Sequence, residues 1–313
     1  MQRMDSATND ICIVCGAPLG NTYASKDYIS GEQFTIFSCT SCGLGVTFPR
    51  VSANSLARYY AENYYKKRKS GADAYINRTR LKKVTWMGVG KTLLDVGCGN
   101  GALIEAFAST GWNAQGSEMA PPEHFVSEGV QNKIHIGDIR SAPYPPQSFD
   151  VITLFHVLEH MTEPRESLAK IRTLLHDAGL LVIEVPNQAS WQARLTRGKG
   201  FNVDVPRHVF HFTPKSLTML LEKTGFRVVK MSHYSPIYSY FGFVQSILNL
   251  LTTRNNVLFD FLNGKITHAN FKTWDMLMTS VFILPTMIIA TPLTILETIF
   301  KHGGIITAYA HSR

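Results

Sequence analysis

Apolar positions in the middle of the chain come in short runs, and polar segments with helical spacing separate them. Residues 91–96, 112–117, 133–139, 149–154 and 179–185 are strand-length runs, and 102–110 has the pattern of a helix. Parallel strands buried on both faces read as continuous apolar runs, so the alternation predicts a doubly wound, mostly parallel α/β sheet. Residues 225–230 look like a sixth strand, and the short apolar segment 304–310 is also β-capable. Thr213 and Pro214 read as N-cap and first residue of a helix over 215–223.

Outside this region the pattern changes twice. Residues 23–38 carry Tyr28, Ile29, Phe34, Ile36 and Phe37, which suits a hairpin. Residues 52–87 look helical, with Ser52 or Asn54 as a cap, Leu56, Tyr59, Tyr60 and Tyr64 on a first helix, and Tyr75, Ile76, Leu81, Val84 and Trp86 on a second. Near the end, Met276 to Leu296 is a stretch of 21 residues without a charge, bounded by Asp275 and Glu297.

The chain has 313 residues, 45% of them apolar and 17% charged, with 18 Phe and 12 Tyr. That composition excludes a disordered or low-complexity protein, and five cysteines exclude a disulfide-dense secreted scaffold. Met1 to Asp10 is polar and no apolar run follows, so no signal peptide is expected and the bulk of the protein is placed in the cytoplasm. The formal net charge of +8 permits nucleic acid, anionic membrane or phosphate-bearing partners. It is unevenly spread: residues 1–92 hold 13 Lys and Arg against 6 Asp and Glu. The run Lys66, Lys67, Arg68, Lys69 reads either as a solvated helix end or as a contact for phosphates.

Four of the cysteines form two pairs, Cys12 with Cys15 and Cys39 with Cys42, each followed by Gly and separated by 23 residues. A two-residue gap lets both thiolates of a pair face one tetrahedral ion, and the Gly allows the tight turn that aims backbone N–H groups at sulfur. The pattern predicts a ribbon around structural zinc; a redox pair and a ribbon without metal are the alternatives. Four thiolates would fill the coordination sphere, which leaves no open position for catalysis.

The strand at 91–96 runs through Asp95 into Gly97-Cys98-Gly99-Asn100-Gly101 and then the predicted helix. Glu118 ends the second strand 23 residues after Asp95, and Gly137-Asp138-Ile139 ends the third. In this order and spacing the chain resembles the class I S-adenosylmethionine-dependent methyltransferases over roughly residues 91–230. The resemblance implies a seven-stranded sheet with S-adenosylmethionine as cofactor. Asp95, Gly97, Gly99 and Gly101 would hold it, Glu118 would accept the ribose hydroxyls, Asp138 would bind the adenine amino group, and the Ile139 N–H would face the ring. Arg78 or Arg80 would reach the cofactor's carboxylate. In that fold the seventh strand inserts beside the sixth, a place residues 304–313 would fill.

A sulfonium methyl is already electrophilic, so the enzyme mainly aligns the nucleophile, and an oxygen acceptor gains from a general base of near-neutral pKa. Histidines cluster after the fourth strand, at His156 and His160, and after the fifth, at His208 and His211. His208 is the first choice for the base, with His211 and His156 behind it. Glu159 and His160 are expected to turn aside.

The domain boundaries expected are a zinc ribbon over 1–50, a helical linker or cofactor lid over 51–90, the methyltransferase domain over 91–230 with 304–313, and an apolar helical insertion over 231–303. Because the last strand must rejoin the sheet, the insertion crosses a membrane twice or not at all. Residues 231–253 are the other uncharged segment, and Pro285 and Pro292 favour a bent or re-entrant shape. These features suggest a monotopic hairpin dipping into the inner leaflet, the alternative being a buried helical pair that forms a lid or dimer interface. The reading is a methyltransferase acting on a lipid-linked glycan, sugar or quinone-type acceptor at the cytoplasmic membrane face. It resembles the methyltransferases of surface-polysaccharide pathways and the ubiquinone-pathway O-methyltransferases. An RNA methyltransferase that holds nucleic acid with its ribbon and basic linker is the second reading, against which the uncharged insertion argues. A non-catalytic cofactor-binding scaffold is the third.

Overall fold

The computed structural model describes residues 11–60, 71–87, 90–121, 125–265 and 272–313. The basic run at 66–69 and Tyr64 lie outside them. The chain begins with strands β1 (Leu19–Lys26), β2 (Gln33–Cys39) and β3 (Gly45–Phe48), then the short helix α1 (Ala53–Leu56) and helix α2 (Gly71–Thr85). An alternating series follows: β4 (Thr92–Val96), α3 (Ala102–Ala108), β5 (Asn113–Glu118), α4 (Glu128–Gln131), β6 (Ile134–Ile136), β7 (Phe149–Phe155), α5 (Pro164–Leu174) and β8 (Leu175–Pro186). After it come α6 (Trp191–Thr196), β9 (Phe210–His211), α7 (Pro214–Lys223) and β10 (Phe226–Ser232). The chain closes with α8 (Tyr238–Leu251), α9 (Val257–Leu262), α10 (Thr273–Ile299) and β11 (Ile305–Ser312).

These elements fall into two compact units. One takes in the described residues up to 60 with Pro186–Met219 and Ser232–Ile306; the other takes in 71–185 with Leu220–Met231 and Thr307–Arg313.

The second unit is built on a seven-stranded sheet of order β10-β11-β8-β7-β4-β5-β6. β4 pairs in parallel with both β5 and β7, so the strand order reverses at β4 and opens a crevice at the carboxyl ends of β4 and β7. Leu93, Leu94, Val151, Ile152, Leu180, Leu181 and Val182 are fully buried, which explains the continuous apolar runs. Helix α3 seats Leu103, Ile104 and Phe107 in this core, with Phe107 edge-on to Trp112 at 5.1 Å. β11 enters the sheet between β10 and β8, as expected of the last strand.

The other unit carries a four-stranded sheet of order β1-β2-β3-β9, antiparallel in each pairing. Its fourth strand is Phe210–His211, which pairs with Gly45 and Val46; sequence had placed these residues in a loop after the fifth strand. The Thr213 hydroxyl accepts the Ser216 N–H at 3.1 Å and Pro214 opens α7, so that cap is as read.

The helical insertion departs from expectation in two ways. Residues 231–253 are not an apolar crossing: Ser232 ends β10, and α8 buries Ser239, Gln245, Ser246 and Asn249. The prolines do not break α10, which runs unbroken through Pro285 and Pro292 for 27 residues. Thr286 donates to Phe282 O at 2.6 Å and Thr291 to Met287 O at 2.9 Å, carbonyls next to those the prolines leave without an N–H. By length and composition α10 could cross a membrane.

Candidate functional site

The end of β4 places Asp95 in the core of the crevice. Its side chain is buried and accepts the Thr153 hydroxyl at 2.6 Å. Burial pushes its pKa up to about 6, against the pull of the Thr153 hydrogen bond and of Arg80. The three glycines that follow all have positive φ: +71° at Gly97, +55° at Gly99 and +84° at Gly101. Their roles differ. A Cβ on Gly97 would stand 2.3 Å from Val157 Cγ2, and one on Gly101 2.2 Å from Val130 Cγ1, so both are glycine because the chain packs tightly there. A Cβ on Gly99 would meet nothing within 4 Å. The space beside the loop opens at Gly99.

Glu118, at the end of β5, closes over this loop. Its Oε2 accepts the Gly99 N–H and its Oε1 the Met119 N–H, both at 2.8 Å. Burial raises its pKa even so. Asp138 caps a 3-10 turn over Ile139–Ser141 and accepts from Arg140 N at 2.8 Å, Nε at 2.9 Å and Nη2 at 2.6 Å. The Arg140 guanidinium holds its carboxyl below the usual range. Ile139 is buried. Asp138 therefore has a capping role that the sequence reading did not foresee.

Across the crevice β7 is followed directly by His156, a non-glycine residue with φ +59°. Its Nδ1 lies 3.5 Å from Glu159 Oε1 and its Nε2 3.4 Å from Glu184 Oε1. Glu184 is itself gripped: Lys83 Nζ and the Thr307 hydroxyl both reach its Oε2. Burial opposes charge on His156, but the two carboxylates outweigh it and push the pKa up to about 9. Burial likewise opposes charge on Glu184, yet His156, Lys83 and Arg80 together hold its carboxyl well below the ordinary range. The two carboxylates, one near each ring nitrogen, therefore favour the charged form of His156. A preference for the charged form weighs against His156 as the general base and favours the other two candidates. Glu159, expected to turn aside, is buried against it.

His208 and His211 lie in the other unit, near β9. His208 Nδ1 is 3.0 Å from Asn202 O, and a carbonyl only accepts, so Nδ1 carries a hydrogen. His211 Nε2 is 2.9 Å from Thr47 Oγ1. Thr47 uses its own hydrogen on His208 O at 2.7 Å, so His211 Nε2 is the donor. The donor nitrogen is thus Nδ1 on His208 and Nε2 on His211.

The four N-terminal cysteine sulfurs all lie within 4.8 Å of one another, and none is in a disulfide. Tetrahedral zinc–thiolate geometry needs sulfurs about 3.8 Å apart for bonds of about 2.3 Å. The backbone completes the set: Val14 N points at Cys12 Sγ and Ser41 N at Cys39 Sγ, both at 3.4 Å, while Gly16 and Gly43 turn at φ +79° and +74°. Cys12, Cys15, Cys39 and Cys42 could hold zinc with no fifth position.

A methyltransferase-domain family matches residues 64–231, a span that holds the glycine loop, Glu118, Asp138 and His156. The chain belongs to this methyltransferase family. A ubiquinone biosynthesis O-methyltransferase of Aeromonas salmonicida is 29% identical over 184 residues, covering 53% of this chain and 77% of the relative. One from Coxiella burnetii is 27% identical over 194 residues, covering 55% and 80%. Among solved structures, phosphoethanolamine N-methyltransferase 2 of Haemonchus contortus, in complex with phosphomonomethylethanolamine and S-adenosylhomocysteine, aligns with a TM-score of 0.51 at 15% identity, covering 85% of this chain and 61% of that one. This last likeness shows the fold alone.

The methyltransferase depends on S-adenosylmethionine, and the loop fits that cofactor. Gly99 leaves an open approach to backbone, and the Glu118 carboxylate stands beside it. Sequence reasoning missed Glu184 and Lys83. A signal for Glu184 existed: it is the one charged residue in the apolar run 180–185, where a carboxylate is buried only if paired.

Proposed function

We propose that this methyltransferase methylates an oxygen of a small quinone-type or lipid-linked acceptor at the cytoplasmic face of a membrane. The observation that carries the oxygen chemistry is the fixed orientation of the His208 ring. Its Nδ1–H is held by Asn202 O, which leaves Nε2 as the ring atom to exchange a proton, and the ring cannot turn without losing a hydrogen bond. The named activity of the relatives from Aeromonas salmonicida and Coxiella burnetii supports the acceptor class.

S-adenosylmethionine supplies an electrophilic methyl group. Glu118, placed beside Gly99, would bind its ribose hydroxyls, and Asp95, held by Thr153, would keep the end of β4 and the glycine loop in place. Arg80, whose guanidinium lies over Phe155 at 4.6 Å, is the candidate for its carboxylate. His208 Nε2 would be the site that takes the proton from the acceptor hydroxyl as the oxygen is alkylated. His156, fixed by Glu159 and Glu184, supports the crevice wall. Zinc in the four-cysteine site is structural.

The test compares lipid-linked glycans and quinones from cells with the active protein and with His208→Gln. Mass spectrometry should show an acceptor lacking one methyl group in the variant. His208→Gln should lower turnover about 100-fold while cofactor affinity by calorimetry stays unchanged. An unchanged turnover would remove His208 from the chemistry, and an unchanged profile of quinones and glycans would remove the acceptor class.

A further inference from the structure

Helix α10 is turned inside out. Its buried residues are Asp275, Thr279, Thr286, Ala290, Thr294 and Glu297, five of six polar. Its exposed positions include Trp274, Leu277, Val281, Phe282, Leu284, Met287, Ile288, Ile289, Ile295, Leu296 and Ile299, with Leu284 64% and Ile288 66% accessible. A helix covering a soluble core has the opposite arrangement. The inner face is anchored by hydrogen bonds near both ends, although Thr294 Oγ1 and Glu297 Oε2 are buried without a partner among the described residues. Asp275 accepts from Thr253 N at 2.7 Å, and Glu297 from Gln192 Nε2 at 2.9 Å and Gly304 N at 3.2 Å.

We propose that α10 is a docking helix that lies in the plane of an anionic phospholipid surface, its outer face sunk into the boundary of headgroups and acyl chains. This deepens the membrane-face reading given above and names the element and the lipid that would carry it. Three observations select this occupant.

The first is the width of the apolar face. At 100° per residue the exposed positions span roughly 220° of the circumference. A second copy or a partner helix needs only a narrow seam flanked by charges, and no charge stands between Asp275 and Glu297. The second is charge complementarity. The two acidic residues bounding the segment are buried, while Lys272 and Lys301 at its two ends are exposed. The rim that α10 itself presents is cationic, as an anionic headgroup layer requires.

The third concerns depth. β11 follows α10 directly and lies within the sheet between β10 and β8, so both ends of the helix return to the folded chain. A spanning helix is excluded by that connection. Pro285 and Pro292 have no N–H to give to Val281 O and Ile288 O, residues on the exposed face. Such carbonyls are costly in the hydrocarbon centre but are hydrated in the interfacial layer about 5–10 Å deep.

The test is vesicle flotation of the full chain without any methyl acceptor, using phosphatidylcholine alone and phosphatidylcholine mixed with phosphatidylglycerol. The wild type should float with the mixed vesicles and much less with the neutral ones. Leu284→Glu with Ile288→Glu should reduce flotation at least tenfold, with S-adenosylmethionine affinity by calorimetry unchanged as the control for folding. Lys272→Glu with Lys301→Glu, which leaves the apolar face intact, should abolish the preference for anionic vesicles. Three results overturn the proposal: a wild type that binds neither vesicle, a Leu284→Glu, Ile288→Glu protein that still floats, or a wild-type dimer that those substitutions make monomeric. The last would show that a second copy covers the face. Flotation that persists while no quinone or lipid-linked acceptor is methylated would reject the acceptor and leave the docking helix standing.

Discussion

Thr47 Oγ1 lies 2.9 Å from His211 Nε2 and accepts its hydrogen, because the threonine's own hydrogen is given to His208 O. One hydroxyl therefore joins β3 to both histidines of the segment around β9. Thr47→Val keeps the shape but removes donor and acceptor together from a buried place. It should lower stability by about 1–3 kcal/mol in urea unfolding, and Thr47→Ser should recover most of the loss. Nitrogen shifts of the His211 ring should report Nε2–H in the wild type and lose that preference in Thr47→Val.

The cysteine cluster predicts one tightly held zinc per chain. Metal analysis of purified protein should find one equivalent, and Cys39→Ser should lose it. Strong chelation should lower the thermal midpoint, since thiolate–metal bonds would add to the stability that the buried Phe34, Ile36, Leu44 and Val46 give this unit. The effect should extend to α7, because Thr213 Oγ1 donates to Cys42 O at 2.8 Å and Lys215 Nζ to Ser41 O at 2.6 Å. Faster hydrogen exchange in α7 after metal removal, with α5 unchanged, is the expected pattern.

Glu118 faces the glycine loop through Gly99 N–H. Glu118→Ala should weaken S-adenosylmethionine binding by at least tenfold in calorimetry, as two ribose hydroxyls lose a charged acceptor. Circular dichroism should show the fold intact. Unchanged affinity would mean that the cofactor does not lie along β5.

The sheet was legible because its strands are apolar on both faces and end in residues with special backbone or charge: Asp95, the three glycines and Glu118. The pattern is local, and so was the reading. What stayed hidden depends on contacts far apart in the chain. Glu184 meets Lys83 from 101 residues away and Thr307 from 123, and no short window shows that these residues form one buried network around His156. Strand β9 has two residues, too few to carry a period. The inversion of α10 was present in the sequence as the helical spacing of Asp275, Thr279, Thr286, Ala290, Thr294 and Glu297. Counting uncharged residues hid it, because a count discards the phase.

The pKa of His156 lies at about 9 in the fold against 6.5 in the unfolded chain. Its proton is bound more tightly in the native state, so the stabilisation is complete below about pH 6.5 and is lost as pH rises toward 9. Stability should fall over that window, by about 3 kcal/mol at most. Glu184 acts at the other end. Its lowered pKa gives stability that is present above about pH 4.5 and lost as pH falls. Denaturant midpoints measured from pH 6 to 9.5 should show the alkaline decline in the wild type, and His156→Gln should flatten it.

Among the described residues Arg207 is the largest fully buried side chain, at 0% exposure. Its guanidinium reaches Asp27 Oδ1 at 2.8 Å, Asp204 Oδ1 through Nε at 2.9 Å and Tyr59 O through Nη1 at 2.9 Å, and it lies over the Tyr28 ring at 5.3 Å. It ties the β1–β2 turn to the segment just before His208. Arg207→Met keeps much of the volume but leaves Asp27 buried opposite an apolar group, which should cost about 3–5 kcal/mol. Arg207→Lys should recover little, because one ammonium cannot reproduce the forked contacts. Adding Asp27→Asn to Arg207→Met should restore part of the loss, because the stranded charge is then gone. A double-mutant cycle in urea unfolding should therefore give a loss smaller than the sum of the single losses. Strict additivity would mean that the pair is not coupled and that Arg207 acts through packing alone.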